Sequence, residues 1–174
     1  MWKFIVSLIL VIIGLIIIKS MDYKKRFNFY LSRLDITNNK LKDSLIKKYD
    51  LMLKQIKLLK NKKKLNEDDF EEFIDINKKE IDVLKLDNII NTYEKKIDII
   101  FQNNNKLVKD NNIRKNINDI EKISITITAL KKYYNMIAIK YNHYIHKFPS
   151  RYVAKIGKYK DKEKYEIEDD KEKS

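Results

Sequence analysis

The sequence predicts an all-α protein: an amino-terminal transmembrane helix followed by an antiparallel up-and-down helical bundle of four helices or, alternatively, three. Three observations carry this. The 174-residue chain has two glycines and one proline, and neither type occurs between Gly14 and Pro149; a sheet protein would need turn residues in that interval. Residues 4–18 form an uncharged run, broken only by Ser7 and Gly14 and flanked by Lys3 and Lys19. Ile113, Ile120, Ile127, Tyr134, Tyr141 and Phe148 then recur every seven residues, with Ile123, Leu130, Ile137 and Tyr144 as a second row. Such a two-row seam packs on other helices. The expected divisions are an anchor at 1–21, a bundle at 22–157 and a charged, disordered tail at 158–174.

Fifteen helical residues span about 22 Å, short of a hydrocarbon core of about 30 Å. Adding Trp2 and letting both flanking lysines snorkel closes most of that gap. The length also suits a secretory signal, but no small-x-small cleavage pattern follows Lys19, so a retained anchor is expected. Lys19, Lys24, Lys25 and Arg26 outweigh Lys3 and the amino terminus. The positive-inside rule then puts the amino terminus outside and the bundle in the cytoplasm.

The first soluble helix is expected over residues 22–60. Phe27, Tyr30, Leu34, Leu41, Leu45, Tyr49, Met52, Ile56 and Leu59 form its core stripe, interrupted at Asn38. Lys60, Lys62, Lys63 and Lys64 suit the negative end of its dipole; Glu67, Asp68 and Asp69, after Asn66 as N-cap, suit the start of the next helix. The acidic middle, residues 67–103, reads by periodicity as one helix or, if the first and last helices pair along their lengths, as a hairpin broken between about residues 79 and 87. Asp87-Asn88 is a weak cap signal there. Asp110 is placed to cap the last helix, and Ser150 a short helix over 151–156 with Gly157 as a left-handed terminator.

The net charge is +13, but it is unevenly spread: residues 20–65 carry +10, residues 66–104 carry −6 and residues 105–157 carry +8. An acidic segment between two basic ones suits helices that complement one another. Only four of the 38 basic residues are arginine, the side chain best built to read bases and phosphates, so nucleic acid is not the expected partner.

Tyr134-Asn135, Tyr141-Asn142 and Phe148-Pro149-Ser150 step by seven along one stripe. With Lys131-Lys132, Ala154, Gly157 and the tail Tyr165-Glu166-Ile167-Glu168, this series resembles the LemA family. Leu45, Lys47, Lys48, Asp50 and Leu51 resemble the family's dibasic-x-Asp-Leu motif, although its upstream tryptophan is Asn38 here and its following proline is Leu53. The resemblance implies a bacterial single-span inner-membrane protein with a helical bundle and favours four helices over three; it implies no reaction. The stripe aromatics are expected in the core, and Asn135 and Asn142, one step off the seam, to hydrogen-bond a neighbouring helix.

No residues point to catalysis. There is no cysteine and no glycine-rich loop, hence no disulfide, thiolate site or phosphate loop. His143 and His146 stand i,i+3 but beside Lys140 and Lys147 with no carboxylate near in sequence, so no metal is expected. Glu-x-x-His is absent. No catalytic, cofactor-binding or metal residue is assigned, and the chain is read as a non-enzyme. The expected role is a membrane-anchored scaffold or interaction module contacting lipid through its first helix and a protein partner through its bundle. The alternative is a membrane-tethered binder of polyanions, nucleic acid or anionic lipid.

Overall fold

The computed structural model describes residues 1–62, 68–77 and 80–167. It is all-α, with five α-helices and no strand among the described residues: α1 (Trp2–Asn61), α2 (Glu71–Ile74), α3 (Val83–Asn103), α4 (Asn111–His146) and α5 (Ser150–Ile156). Short 3-10 turns at Asp68–Phe70 and Leu107–Lys109 precede α2 and α4. Helix α1 carries no break at residue 21, so the expected anchor and the expected first bundle helix are one continuous helix. Its first part is long and apolar enough to cross a membrane, and none of that stretch is buried in the protein. The expected cluster at Lys63, Lys64, Asn66 and Glu67 lies outside the described residues, as does residue 79, one edge of the expected break.

The middle segment is not one helix. Helix α2 stops at Ile74, and α3 begins after Asp82, whose carboxylate accepts from the Leu84 backbone N–H at 2.9 Å. An extended N-cap with a side-chain acceptor is how a helix start satisfies its free donors. The cap is therefore Asp82, not Asp87-Asn88; Asp87 lies buried inside α3. Asp110 does cap α4, accepting from Asn112 and Ile113.

The chain divides into two compact units, to each of which α1 and α4 contribute. One comprises residues 38–132. In it the Tyr49 ring packs on Phe73 at 4.7 Å and Phe73 on Tyr93 at 4.7 Å, while the Tyr49 hydroxyl donates to the Phe73 carbonyl at 2.7 Å. Burial of that hydroxyl, then the carboxylates of Asp50 and Asp75, push its pKa up. Two ion pairs tie the helices: Lys48–Glu94 at 2.7 Å and Lys131–Asp87 at 2.6 Å. Asn116 of α4, fully buried, donates to the Leu51 carbonyl at 3.0 Å and to Gln55 at 2.6 Å. Lys62 meets Asp110 at 2.8 Å, so α1 and α4 run antiparallel here. The buried contact of Asn116 with Leu51 and Gln55 fixes helix register, because a shifted helix would leave it unpaired.

The other unit comprises residues 1–37 and 133–166. Its core is Phe27 and Leu34 of α1, Ile137, Ala138, Tyr141 and Ile145 of α4, and Ala154 of α5. Tyr23, Phe27 and Tyr30 all approach Tyr144, with ring centroids 6.1–6.3 Å away, again with α1 and α4 antiparallel. The expected stripe on α1 is buried from Phe27 to Leu59 with Tyr30 half-buried, and Thr37 fills the gap assigned to Asn38. Its hydroxyl donates to the Arg33 carbonyl at 2.7 Å, which makes a buried threonine tolerable.

Candidate functional site

The residues singled out by the heptad pairs lie on the carboxy-terminal half of α4 and just past its end. Tyr141 is 1 % exposed and belongs to the core. Burial, then Tyr159 and Asp161, raise the pKa of its phenol. Tyr134 is half-buried, and Phe148 is 68 % exposed and stacks edge-on against Tyr152 at 6.0 Å. The expectation of a core aromatic thus fails for Phe148. It follows the last residue of α4, His146, so the helical period no longer sets where its side chain points.

Asn135 and Asn142 do not bond a neighbouring helix. Each side-chain amide takes both backbone groups of one residue in the segment after α5. Asn142 Nδ2 donates to the Lys162 carbonyl and its Oδ1 accepts from the Lys162 N–H, both at 2.9 Å. Asn135 does the same with Tyr165, both at 2.8 Å. Seven helical residues advance about 10.5 Å, and three residues of extended chain reach about 10 Å. The two asparagines therefore match two points of a nearly extended stretch of chain running antiparallel to α4. The Tyr165 ring, 8 % exposed, sits on Tyr134 at 4.8 Å, and His146 Nε2 lies 2.8 Å from Asp161 Oδ1. A carboxylate thus faces His146, contrary to the sequence expectation. Among the described residues no three His, Asp or Glu side chains group as a metal would require.

The same segment is stitched to α1. The Tyr159 ring packs on Phe27 at 4.8 Å and its hydroxyl donates to Asn28 Oδ1 at 3.2 Å. Residues 158–167 are thus pinned rather than disordered; the expectation of a structureless tail is corrected for them, and residues 168–174 lie outside the described chain. The signal missed in the sequence was the tail's own receptor: a charged segment without period looks solvated until its backbone partners are found.

The corner between α4 and α5 departs from expectation in two ways. Ser150 does not cap α5. It is 2 % exposed, and its hydroxyl faces the carbonyls of Tyr144 at 2.6 Å and Lys147 at 2.8 Å, closing the end of α4. The Phe148–Pro149 peptide is cis. Gly157 is not left-handed, with φ −81°; the positive φ of 55° falls on Lys158. Glycine is required for space instead, since a Cβ there would meet the Tyr159 ring at 2.5 Å. Ala154 is buried in the core below.

The first-helix motif lies in the other unit. Lys47 and Asp50 are exposed, Leu51 is half-buried and offers its carbonyl to Asn116, and Lys48 is buried against Glu94. It is a set of helix-packing contacts. Residues 38–174 match the model of the LemA family. The chain belongs to the LemA family. Both motif regions and the whole Asn135/Asn142 clamp fall inside the match, while the apolar part of α1 lies before it. No curated protein and no solved structure matches the chain.

Proposed function

We propose that this LemA protein is a membrane-anchored, non-catalytic interaction module that recognises extended peptide backbone through Asn135 and Asn142. The carrying observation is the double amide clamp, in which two side chains satisfy four backbone groups of residues 162 and 165. Such a clamp reads main chain, as edge-strand addition does, with Tyr134 selecting an aromatic at the second position. Its own tail occupies the site in cis, and a partner's segment takes it in trans. The apolar start of α1 tethers the module, with the bundle on the cytoplasmic side.

Three of the four arginines lean on rings of their own chain: Arg26 on Tyr144, Arg33 on Phe29 and Arg151 on Tyr152, at 5.0–5.7 Å. This supports a protein or lipid partner over nucleic acid.

The test uses the chain ended after Lys158 and a synthetic peptide of residues 158–167. Saturable binding that Asn135→Ala or Asn142→Ala abolishes is the expected result. Absence of binding to a truncated chain that still melts cooperatively would contradict the reading.

A further inference from the structure

Helix α5 comes back against α1 where the apolar run gives way to charge. Ile12, Ile16 and Lys19 on one face of α1, with Tyr152, Val153 and Ile156 of α5, line an open groove of about 520 Å³. That volume falls within the range of about 300–1,000 Å³ typical of ligand sites. Its walls are apolar and bare: Ile16 is 59 % exposed and Ile156 is 80 % exposed. The groove straddles a boundary, because residues 4–18 hold no charge and Lys19 is the first one after them.

In water these side chains would be exposed at a cost of about 25 cal/mol per Å². Beside a membrane span they meet acyl chains, while Lys19 reaches the phosphate level by snorkelling. The charge nearby has one dominant sign: Lys19 lines the groove, Arg151 stacks on its Tyr152 at 5.0 Å, and Lys24 and Lys25 follow on α1, where Asp22 is the sole acid before Arg26. We propose that the groove binds one anionic phospholipid, an acyl chain lying between α1 and α5 and the phosphate on Lys19. Arg151 adds the attraction that selects a negative headgroup, with Lys24 and Lys25 along α1. Tyr152 stands at the rim, where an aromatic with a polar tip belongs at a membrane interface. The proposal rests on α1 crossing the membrane and is independent of the peptide clamp.

The test uses the full chain in nanodiscs of phosphatidylcholine and phosphatidylglycerol, with Trp2→Phe removing the only native tryptophan. Ile156→Trp reports the groove and Ile9→Trp the span, each read by quenching from lipids with brominated acyl chains. Both tryptophans should be quenched, and Ile156→Trp more strongly when the bromines are on phosphatidylglycerol. Lys19→Gln should lower that preference about fivefold, the factor expected of one lysine at an anionic surface. Val153→Phe, which fills the groove, should remove the preference and leave Ile9→Trp unchanged. Quenching at Ile9→Trp but not at Ile156→Trp overturns the groove assignment alone. A preference that survives Val153→Phe means bulk lipid and also overturns it. Absence of quenching at both positions overturns the span itself.

Discussion

Asn135 and Tyr165, thirty residues apart, exchange two hydrogen bonds of 2.8 Å as if they were opposite residues of a sheet. One partner is a side chain and the other a backbone. An asparagine amide has the donor and acceptor of a peptide group at similar spacing, so a helix studded with it offers a ladder to an extended chain. The heptad repeat sets the rung spacing. Asparagine at 135 and 142 thereby gains a role that helical periodicity alone does not supply.

Of the two stripe aromatics that bracket the corner, only Tyr141 is structural. Tyr141→Ala should destabilise the protein by about 2–4 kcal/mol, as truncated core aromatics do. Phe148→Ala, removing an exposed ring, should change stability by about 0.5 kcal/mol or less. Chemical denaturation of both variants checks this, and equal losses would contradict the assignment.

The Lys131–Asp87 pair is buried on both sides, with each side chain about 10 % exposed. Removing one partner strands a charge, so Lys131→Met or Asp87→Leu alone should cost about 3–5 kcal/mol. The double variant should recover most of that loss, because two apolar side chains need no pairing. A double-mutant cycle measures it; additive losses would mean the pair does not couple.

Asp110 is held below the ordinary carboxylate value of 3.8 by its hydrogen bond to Lys62 first, then by the Ile113 and Asn112 backbone N–H groups. A lowered folded pKa adds stability that is complete above 3.8 and lost as pH falls through the folded value. Asp110→Asn should therefore flatten the acid limb of the stability profile below about pH 4 and leave its alkaline limb unchanged. Denaturation midpoints across that range decide it.

Gly157→Ala should push the Tyr159 ring off Phe27, since its Cβ would lie 2.5 Å from that ring. In the Tyr159→Ala background the same substitution should be nearly silent. NMR ring-current shifts at Phe27 report the displacement. A large effect of Gly157→Ala without Tyr159 would show that backbone conformation, not space, demands glycine.

Much of the fold was legible because burial follows period. The α1 stripe and the α4 seam follow the 3.6-residue turn, and the lack of glycine and proline between Gly14 and Pro149 excludes a sheet. Where period stops, so did the reading. Phe148 lies past the end of α4, the segment at 159–167 has no helical repeat, and the backbone partner of Asn142 is twenty residues away. Asp87 was misplaced because a lone carboxylate before two isoleucines looks like a cap. It sits on the stripe of Val83, Leu86, Ile90, Tyr93 and Ile97, and only its spacing against Lys131 on the last helix could have marked it as a buried pair.

The clamp is tested most directly by amide hydrogen exchange at Lys162 and Tyr165 in the full chain. The account predicts that both amides are protected, against faster exchange at neighbouring tail positions. Asn142→Ala should release Lys162 and Asn135→Ala should release Tyr165, while amides in the middle of α4 stay slow. Exchange at both sites as fast as in an unstructured peptide, before any substitution, would contradict it.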